Sequence, residues 1–361
     1  MKIAFIGQKG IPSRDGGVER YVESLAINLV SLGQEVLVYN RVDYLPQKLR
    51  EFREISIINL PYLRGKNFAA ITHTFLSICH TLWRGVDVIH FQGVGPSLLA
   101  WLPKLIRRRI KVVATLHSFD YYNEKWGWFA KIMLRTGEKI MCRAADEVIV
   151  LTESTQKYVL AKHNRETILI PNGTNLYEDT ADDRILAWGI NRKNYILSVS
   201  RIIKLKGLQY LIPAFLSIDT DKKLVITGDG DYLPELEKLA GGNPRIVFTG
   251  NQRGRILDQL YANAYLFIQP SEMEGMSIAL LEAMGHKTAC LVSDIKANQE
   301  AIGEAGFTFE SKNIESLKDR LQDLVGKPDL VEAKAQAAYA RAKDNFTWPD
   351  VARRILEVYQ K

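Results

Sequence analysis

Two carboxylates eight residues apart, Glu274 and Glu282, stand in the run Pro270-Ser271-Glu272-Met273-Glu274-Gly275-Met276-Ser277-Ile278-Ala279-Leu280-Leu281-Glu282-Ala283-Met284. The apolar stretch 265–269 reads as a strand and 276–284 as a helix. Glu274 therefore belongs to a strand-to-helix loop. At 3.6 residues per turn, Glu282 falls about two turns in, on a similar face. Such a loop offers a ligand one carboxylate and the backbone amides of Gly275, Met276 and Ser277, with a second carboxylate behind. A second candidate lies near the start of the chain. The apolar run 2–7 is followed by Gly7-Gln8-Lys9-Gly10-Ile11-Pro12 and then by Gly16-Gly17-Val18-Glu19 at a helix start. Glycine lets backbone approach a ligand, and free amides at a helix N-terminus suit phosphate. The spacing is neither the dinucleotide G-x-G-x-x-G nor a P-loop. His117 and His90 sit at or near the ends of apolar runs, and His286 near a helix end.

The elements that position these residues alternate. Strands are expected at 2–7, 35–39, 86–91, 111–116 and 147–151, with helices between, of which 18–32 stops at Gly33. Pro171-Asn172-Gly173 and the polar stretch 178–183 mark a boundary. The alternation restarts at 195–200, 223–227, 246–249, 265–269 and 288–293, and the last helices begin near 314. Strand–helix alternation gives parallel sheets with crossovers, and parallel sheets bind ligands at their carboxyl ends. The fold class is therefore α/β: two Rossmann-like domains with parallel sheets facing across a cleft. The expected boundaries are 1–173 and 174–345, with a C-terminal helix at about 346–361 packing back on the first domain. The 361 residues suit two domains, and 47% hydrophobic with 25% charged content is that of a globular chain. Cys79, Cys142 and Cys290 are far apart and odd in number, which excludes a disulfide framework and fits a cytoplasmic protein. The run 2–7 breaks at glycine without a cleavage pattern, so no signal peptide is expected. The apolar stretch 68–83 holds Thr72, His73, Thr74, Ser77 and His80, and reads as a helix packed in protein.

The ordered motifs resemble family-4 retaining glycosyltransferases, whose fold is GT-B. Glu274 and Glu282 match that family's E-x7-E signature. Ser200-Arg201-Ile202-Ile203-Lys204-Leu205-Lys206-Gly207 matches its second-domain opening. Gly228-Asp229-Gly230, Pro171-Asn172-Gly173 and the G-G-x-E at 16–19 match three further motifs, so the resemblance spans nearly the whole chain. The G-x-K-G-I-P opening is similar to a bacterial subgroup linked to rhamnosyl transfer. The resemblance implies roles. Arg201 and Lys206 hold the donor diphosphate, as fixed cations that neutralise charge on the leaving phosphate. Gly16, Gly17 and Gly228 approach the donor, and Glu274 lies beside its sugar with the amides 275–277. Glu282 binds the ribose hydroxyls, and His117 contacts the donor sugar and supports transfer. It also implies retention of configuration without a glycosyl-enzyme intermediate, because Glu282 is assigned to ribose.

This sequence departs from the family at Lys287 and Ala289, where a Gly-x-Pro turn is usual, at Lys296-Ala297, where a Gly-Gly pair is usual, and at Asn175, where Asp is usual. Asp219-Thr220-Asp221 and Asp229-Gly230-Asp231 mimic a metal-binding string, but with Arg201 and Lys206 available no metal or other cofactor is expected. Charge adds a partner. Residues 1–180 hold 24 Lys/Arg against 17 Asp/Glu, whereas 181–361 hold 24 of each. The basic half points to an anionic partner. The segment 101–109, ending in Arg107-Arg108-Arg109, suggests an anionic membrane, hence peripheral attachment at the inner face. No nucleic-acid module appears, so no nucleic acid is expected. The expected activity is sugar transfer from a nucleotide-diphosphate donor to a glycan or lipid-diphosphate-linked acceptor in bacterial surface polysaccharide synthesis. A GT-B nucleotide-sugar epimerase and a non-catalytic sugar-nucleotide binder are the alternatives.

Overall fold

The computed structural model describes residues 1–14, 16–65, 68–122, 127–178, 181 and 183–361, the Asp120 side chain excepted. Three residues of the polar boundary stretch, Asp179, Thr180 and Asp182, lie outside the described residues. The chain divides into two compact units, Met1–Asn172 with Trp348–Lys361, and Gly173–Thr347.

The first unit holds strands β1 (Lys2–Ile6), β2 (Glu35–Arg41), β3 (Glu51–Phe52), β4 (Ile55–Leu60), β5 (Val88–Gln92), β6 (Lys111–Leu116), β7 (Glu147–Val150) and β8 (Ile168–Leu169). Their order is β3-β4-β2-β1-β5-β6-β7-β8, parallel except for the β3–β4 pair. β1 and β5 are in register from Ile3 opposite Val88 to Ile6 opposite Phe91. The central strands are buried nearly throughout, as strands covered on both faces must be. Chain progress runs one way from β1 to β4 and the other way from β5 to β8. The order therefore switches between β1 and β5, where a parallel sheet opens a crevice at its carboxyl edge. Right-handed crossovers put the helices Ala69–Arg84, Leu102–Ile106 and Trp128–Ala144 on one face and the helix Gly17–Ser31 on the other. The C-terminal helix Trp348–Gln360 packs on Gly17–Ser31. It is tied further by Arg354 donating to the Leu169 carbonyl at 2.6 Å and by the Tyr359 hydroxyl against His90 Nδ1 at 2.6 Å.

The second unit holds β9 (Tyr195–Val199), β10 (Lys223–Thr227), β11 (Ile246–Gly250), β12 (Leu266–Gln269), β13 (Cys290–Ser293) and β14 (Phe307–Phe309), all parallel in the order β11-β10-β9-β12-β13-β14. Its switch lies between β9 and β12. Leu211, Phe215, Leu224, Ile268, Leu291 and Leu321 are among the side chains that fill its core.

Several expectations shift. The helix after β12 runs Ile278–Gly285, because the Ser277 side chain caps it by accepting from the Leu280 amide at 3.3 Å. Glu282 is thus one turn in rather than two. The basic segment 101–109 is helical only over Leu102–Ile106, and its three arginines lie beyond the helix. The stretch 68–83 is a helix, but with polar side chains inward beside Ile78: His73, Thr74, Ser77 and Thr81 are buried while Phe75, Leu76 and Trp83 are exposed.

Candidate active site

At the carboxyl edge of the second unit three loops converge. The segment after β9 bonds to the loop after β10 through the Ser200 amide to the Thr227 carbonyl, at 3.1 Å, and the Ile202 amide to the Asp229 carbonyl, at 2.8 Å. Gly228, at φ 140°, lies so close that a Cβ there would overlap the Ser200 carbonyl. The loop after β12 joins the same segment: the Glu272 amide donates to the Leu205 carbonyl at 2.9 Å, and a Cβ on Gly207 would overlap the Pro270 carbonyl. Gly207 has φ 72°, a left-handed conformation that glycine adopts at least cost.

This convergence sets the polar groups. Lys206 Nζ donates to Glu274 Oε1 at 2.5 Å, and the Ser271 hydroxyl donates to the same oxygen at 2.7 Å. Both charged side chains are largely buried. Arg201, five residues before Lys206, is exposed and has no ion pair among the described residues. Gly275 and Met276 lead into the capped helix, whose first amides point to the loop. Ser277 also donates to Gln269 Oε1 at 2.6 Å, which fixes the loop to its strand. Glu282 is buried and accepts from the Tyr261 hydroxyl at 3.1 Å. His286 caps the helix C-terminus, with Nδ1 2.7 Å from the Glu282 carbonyl, and is stacked on Tyr177 at 4.1 Å. At Lys287 the backbone takes φ 58°, so the turn keeps a glycine-like conformation without glycine.

At the carboxyl edge of the first unit, Gly16, at φ 92°, caps the helix Gly17–Ser31 without a side-chain cap bond. Among the described residues nothing stands within 4 Å of a Cβ at Gly17. Glu19 is buried and accepts from the Lys9 amide at 2.9 Å, and Asn40 brackets Ile11, accepting from its amide at 2.9 Å and donating to its carbonyl at 2.7 Å. The glycine loop is thereby held against β2. His117 follows β6. Its Nε2 lies 2.8 Å from Gln92 Oε1, and the Gln92 amide nitrogen faces the His90 carbonyl at 3.4 Å. With that amide orientation His117 Nε2 carries the proton, which leaves Nδ1 as an acceptor. Burial pushes His117 down to about 3, so the ring is neutral at physiological pH. Tyr21 meets its ring edge-on at 4.7 Å. His90 is a strut: it is fully buried, with Nε2 2.7 Å from the Thr115 hydroxyl and Nδ1 on Tyr359.

Lys206, Glu274 and the helix start are therefore joined in one bonded group, with Gly228 packed on the Ser200 carbonyl. Glu282 is one helical turn deeper. His117, Gly16 and Gly17 belong to the other unit. Sequence reasoning missed Ser271, Gln92 and Tyr261, each of which fixes a candidate side chain. Ser271 stands in the signature run itself, but nothing in its spacing marked it. Among the described residues no group of three or more His, Cys, Asp or Glu side chains is placed to hold a metal ion.

Comparison with known proteins agrees in both units. Residues 185–343 match the family described as Glycosyl transferases group 1, and residues 15–178 match Glycosyltransferase Family 4. The chain is 24% identical to the GDP-mannose-dependent alpha-(1-6)-phosphatidylinositol monomannoside mannosyltransferase of Mycolicibacterium smegmatis, over 96% of this chain and 95% of that one. Sucrose-phosphate synthase from Thermosynechococcus elongatus shares its fold with TM-score 0.87 and 21% identity, covering 99% of this chain and 98% of that one. HepE of Anabaena, in complex with UDP-glucose, does so with TM-score 0.81 and 20% identity, covering 100% and 99%.

Proposed function

We propose, from the premise that this chain is a glycosyltransferase of the GT-B fold, that it transfers a hexosyl or deoxyhexosyl group from a nucleotide-diphosphate donor with retention of configuration. The observation that carries this is the Lys206–Glu274–Ser271 group, with Arg201, which has no ion pair among the described residues, on the same segment after β9 at the carboxyl edge of the second unit's sheet. Arg201 and Lys206 bind the diphosphate and stabilise the charge that grows on it as the sugar leaves. The amides of Gly275, Met276 and Ser277 add donors at a helix N-terminus. Glu274, fixed on one oxygen, turns the other toward a sugar hydroxyl. Glu282 takes the ribose hydroxyls. Gly16 and Gly17 let the start of their helix approach the donor, and neutral His117 accepts a sugar hydroxyl at Nδ1. Retention follows a same-face path: the departing phosphate oxygen takes the acceptor proton as the acceptor oxygen bonds to the anomeric carbon. The cations do the work of a divalent ion, so turnover is metal-independent.

The acceptor is a glycan or lipid-diphosphate-linked sugar, in bacterial surface polysaccharide synthesis at the cytoplasmic face of the membrane. A mannosyl transferase acting on a phosphatidylinositol mannoside is among the relatives and supports a lipid-borne acceptor. Rhamnose, suggested by the G-x-K-G-I-P opening, is the deoxyhexose to test first. The test is a thermal-shift screen of UDP, GDP, ADP and dTDP sugars, followed by Arg201→Ala and Lys206→Ala. Each variant is expected to lose donor-induced stabilisation and turnover together. Wild-type turnover in either one removes the assignment, and sugar inversion without an acceptor favours an epimerase instead.

A further inference from the structure

The helix Ala69–Arg84 turns four polar side chains inward. Toward the sheet it presents His73, Thr74, Ser77 and Thr81 beside Ile78, all buried. Two of these hydroxyls are satisfied by the helix itself, Ser77 donating to the His73 carbonyl at 2.7 Å and Thr81 to the Ile78 carbonyl at 2.6 Å. Toward the outside it presents Phe75 and Trp83, the latter 89% exposed. A helix placed against water shows the reverse pattern. Right-handed crossovers put its two neighbours on the same side of the sheet, and both also expose large apolar side chains. Trp101 and Leu105 stand out from the region of Leu102–Ile106, and Trp128 and Phe129 from the start of Trp128–Ala144. The helix Ala69–Arg84 packs against Leu102–Ile106, and both it and Trp128–Ala144 pack against the turn at 96–99. Large apolar side chains exposed on three helices that share one side of a sheet are the kind of surface that marks an interaction site.

The surrounding charge identifies the partner. Between Phe68 and Ala144 the sequence holds four acids against eleven Lys and Arg; of the acids, Asp87 accepts from the Lys2 amide at 2.7 Å. The same stretch carries Arg84 and the exposed run Arg107-Arg108-Arg109. Tryptophans beside arginines suit the interface of a bilayer with anionic headgroups. A second copy of the chain would bring the same arginines to the same face. A nucleic acid would leave the apolar side chains without a partner.

We propose that the face formed by the helices Ala69–Arg84, Leu102–Ile106 and Trp128–Ala144 docks on an anionic lipid bilayer, with Trp83, Trp101, Leu105 and Trp128 inserted at headgroup depth and Arg107–Arg109 on the lipid phosphates. This extends the lipid-borne acceptor reading by naming the surface that meets the membrane. Its test uses no donor or acceptor, so failure of one reading leaves the other standing.

The full chain is floated with vesicles of phosphatidylcholine plus phosphatidylglycerol, and with phosphatidylcholine alone. Binding to the first and not to the second is expected. Arg107→Glu with Arg108→Glu and Arg109→Glu should weaken it about a hundredfold, since each lost cation near an anionic surface costs roughly fivefold. Trp83→Ser with Leu105→Ser should weaken it at least tenfold. Thermal melting and nucleotide-diphosphate binding should stay as in wild type for both sets. Should a variant fail to fold, brominated phosphatidylglycerol must quench the tryptophan fluorescence of the wild-type chain. No flotation, equal flotation on both vesicles, no quenching, or a solution dimer broken by these same substitutions overturns the proposal.

Discussion

Glu274 is held on one oxygen by both Lys206 and Ser271 before any ligand arrives. That pairing makes a residue-scale prediction. Lys206→Met strands a largely buried carboxylate and should destabilise the second unit by about 2 kcal/mol. The double variant with Glu274→Gln should lose clearly less than the two single losses added together, because the amide no longer needs the cation. Urea unfolding of the four proteins measures this, and additivity would mean that the pair is not coupled. His117 yields a second prediction. Burial pushes it down to about 3, so its neutral form persists throughout the range in which a free imidazole titrates. The pH profile of kcat/KM for the wild type should carry no inflection near pH 6.5 that His117→Gln abolishes, although that variant should lose most of the activity. At this scale the charged members were legible because motif spacing names them. Ser271 and Gln92 were not, since each acts through a side chain brought near by loop geometry.

Glycines set the element scale. Gly207 has φ 72° and no room for a Cβ against the Pro270 carbonyl. Gly207→Ala therefore forces apart the loops after β9 and β12, and should cost at least about 2 kcal/mol of stability by urea unfolding. Nucleotide-diphosphate affinity should fall as well, although the substituted atom carries no charge. Gly17→Ala is the contrast. Among the described residues nothing lies near its Cβ, and it starts a helix, so stability should change by less than about 1 kcal/mol, while a loss of turnover would report close approach of a ligand. Most long strands and the glycine loops were legible from runs and punctuation, but β4, six residues long, was not among the expected strands. β3, β8 and β14 have two or three residues each, too few for a period to appear. The helix Ala69–Arg84 was legible as a helix but not in its direction. Its polar residues recur at helical spacing, and spacing alone does not say which stripe faces in.

At the scale of the molecule, the alternation of strand and helix was enough to place two parallel sheets, one on each side of Pro171-Asn172-Gly173. The membership of the last helix depends on partners far away in sequence, such as His90 for Tyr359. Burial then makes the first unit the acid-sensitive one. Five of the six histidines lie in it, and burial lowers His73 to about 4 and His90 to about 3. Between those values and about 6.5, the unfolded chain binds protons that the folded chain refuses. Stability is therefore full above about pH 6.5 and falls as pH drops, each of the two contributing at most roughly 1.4 kcal/mol per pH unit. Among the described residues His73 Nε2 is buried with no hydrogen-bond partner, while the ring also bonds to the Asn40 backbone, so His73→Leu removes a proton site at the cost of that one contact. Calorimetry from pH 7.5 to 4.5 should show a transition of the first unit moving down steeply below pH 6.5, ahead of any shift in the second. In His73→Leu that slope should be shallower, although the lost Asn40 contact lowers stability at pH 7.5 by about 1 kcal/mol. An unchanged slope would mean that His73 takes up its proton as readily in the folded chain as in the unfolded one.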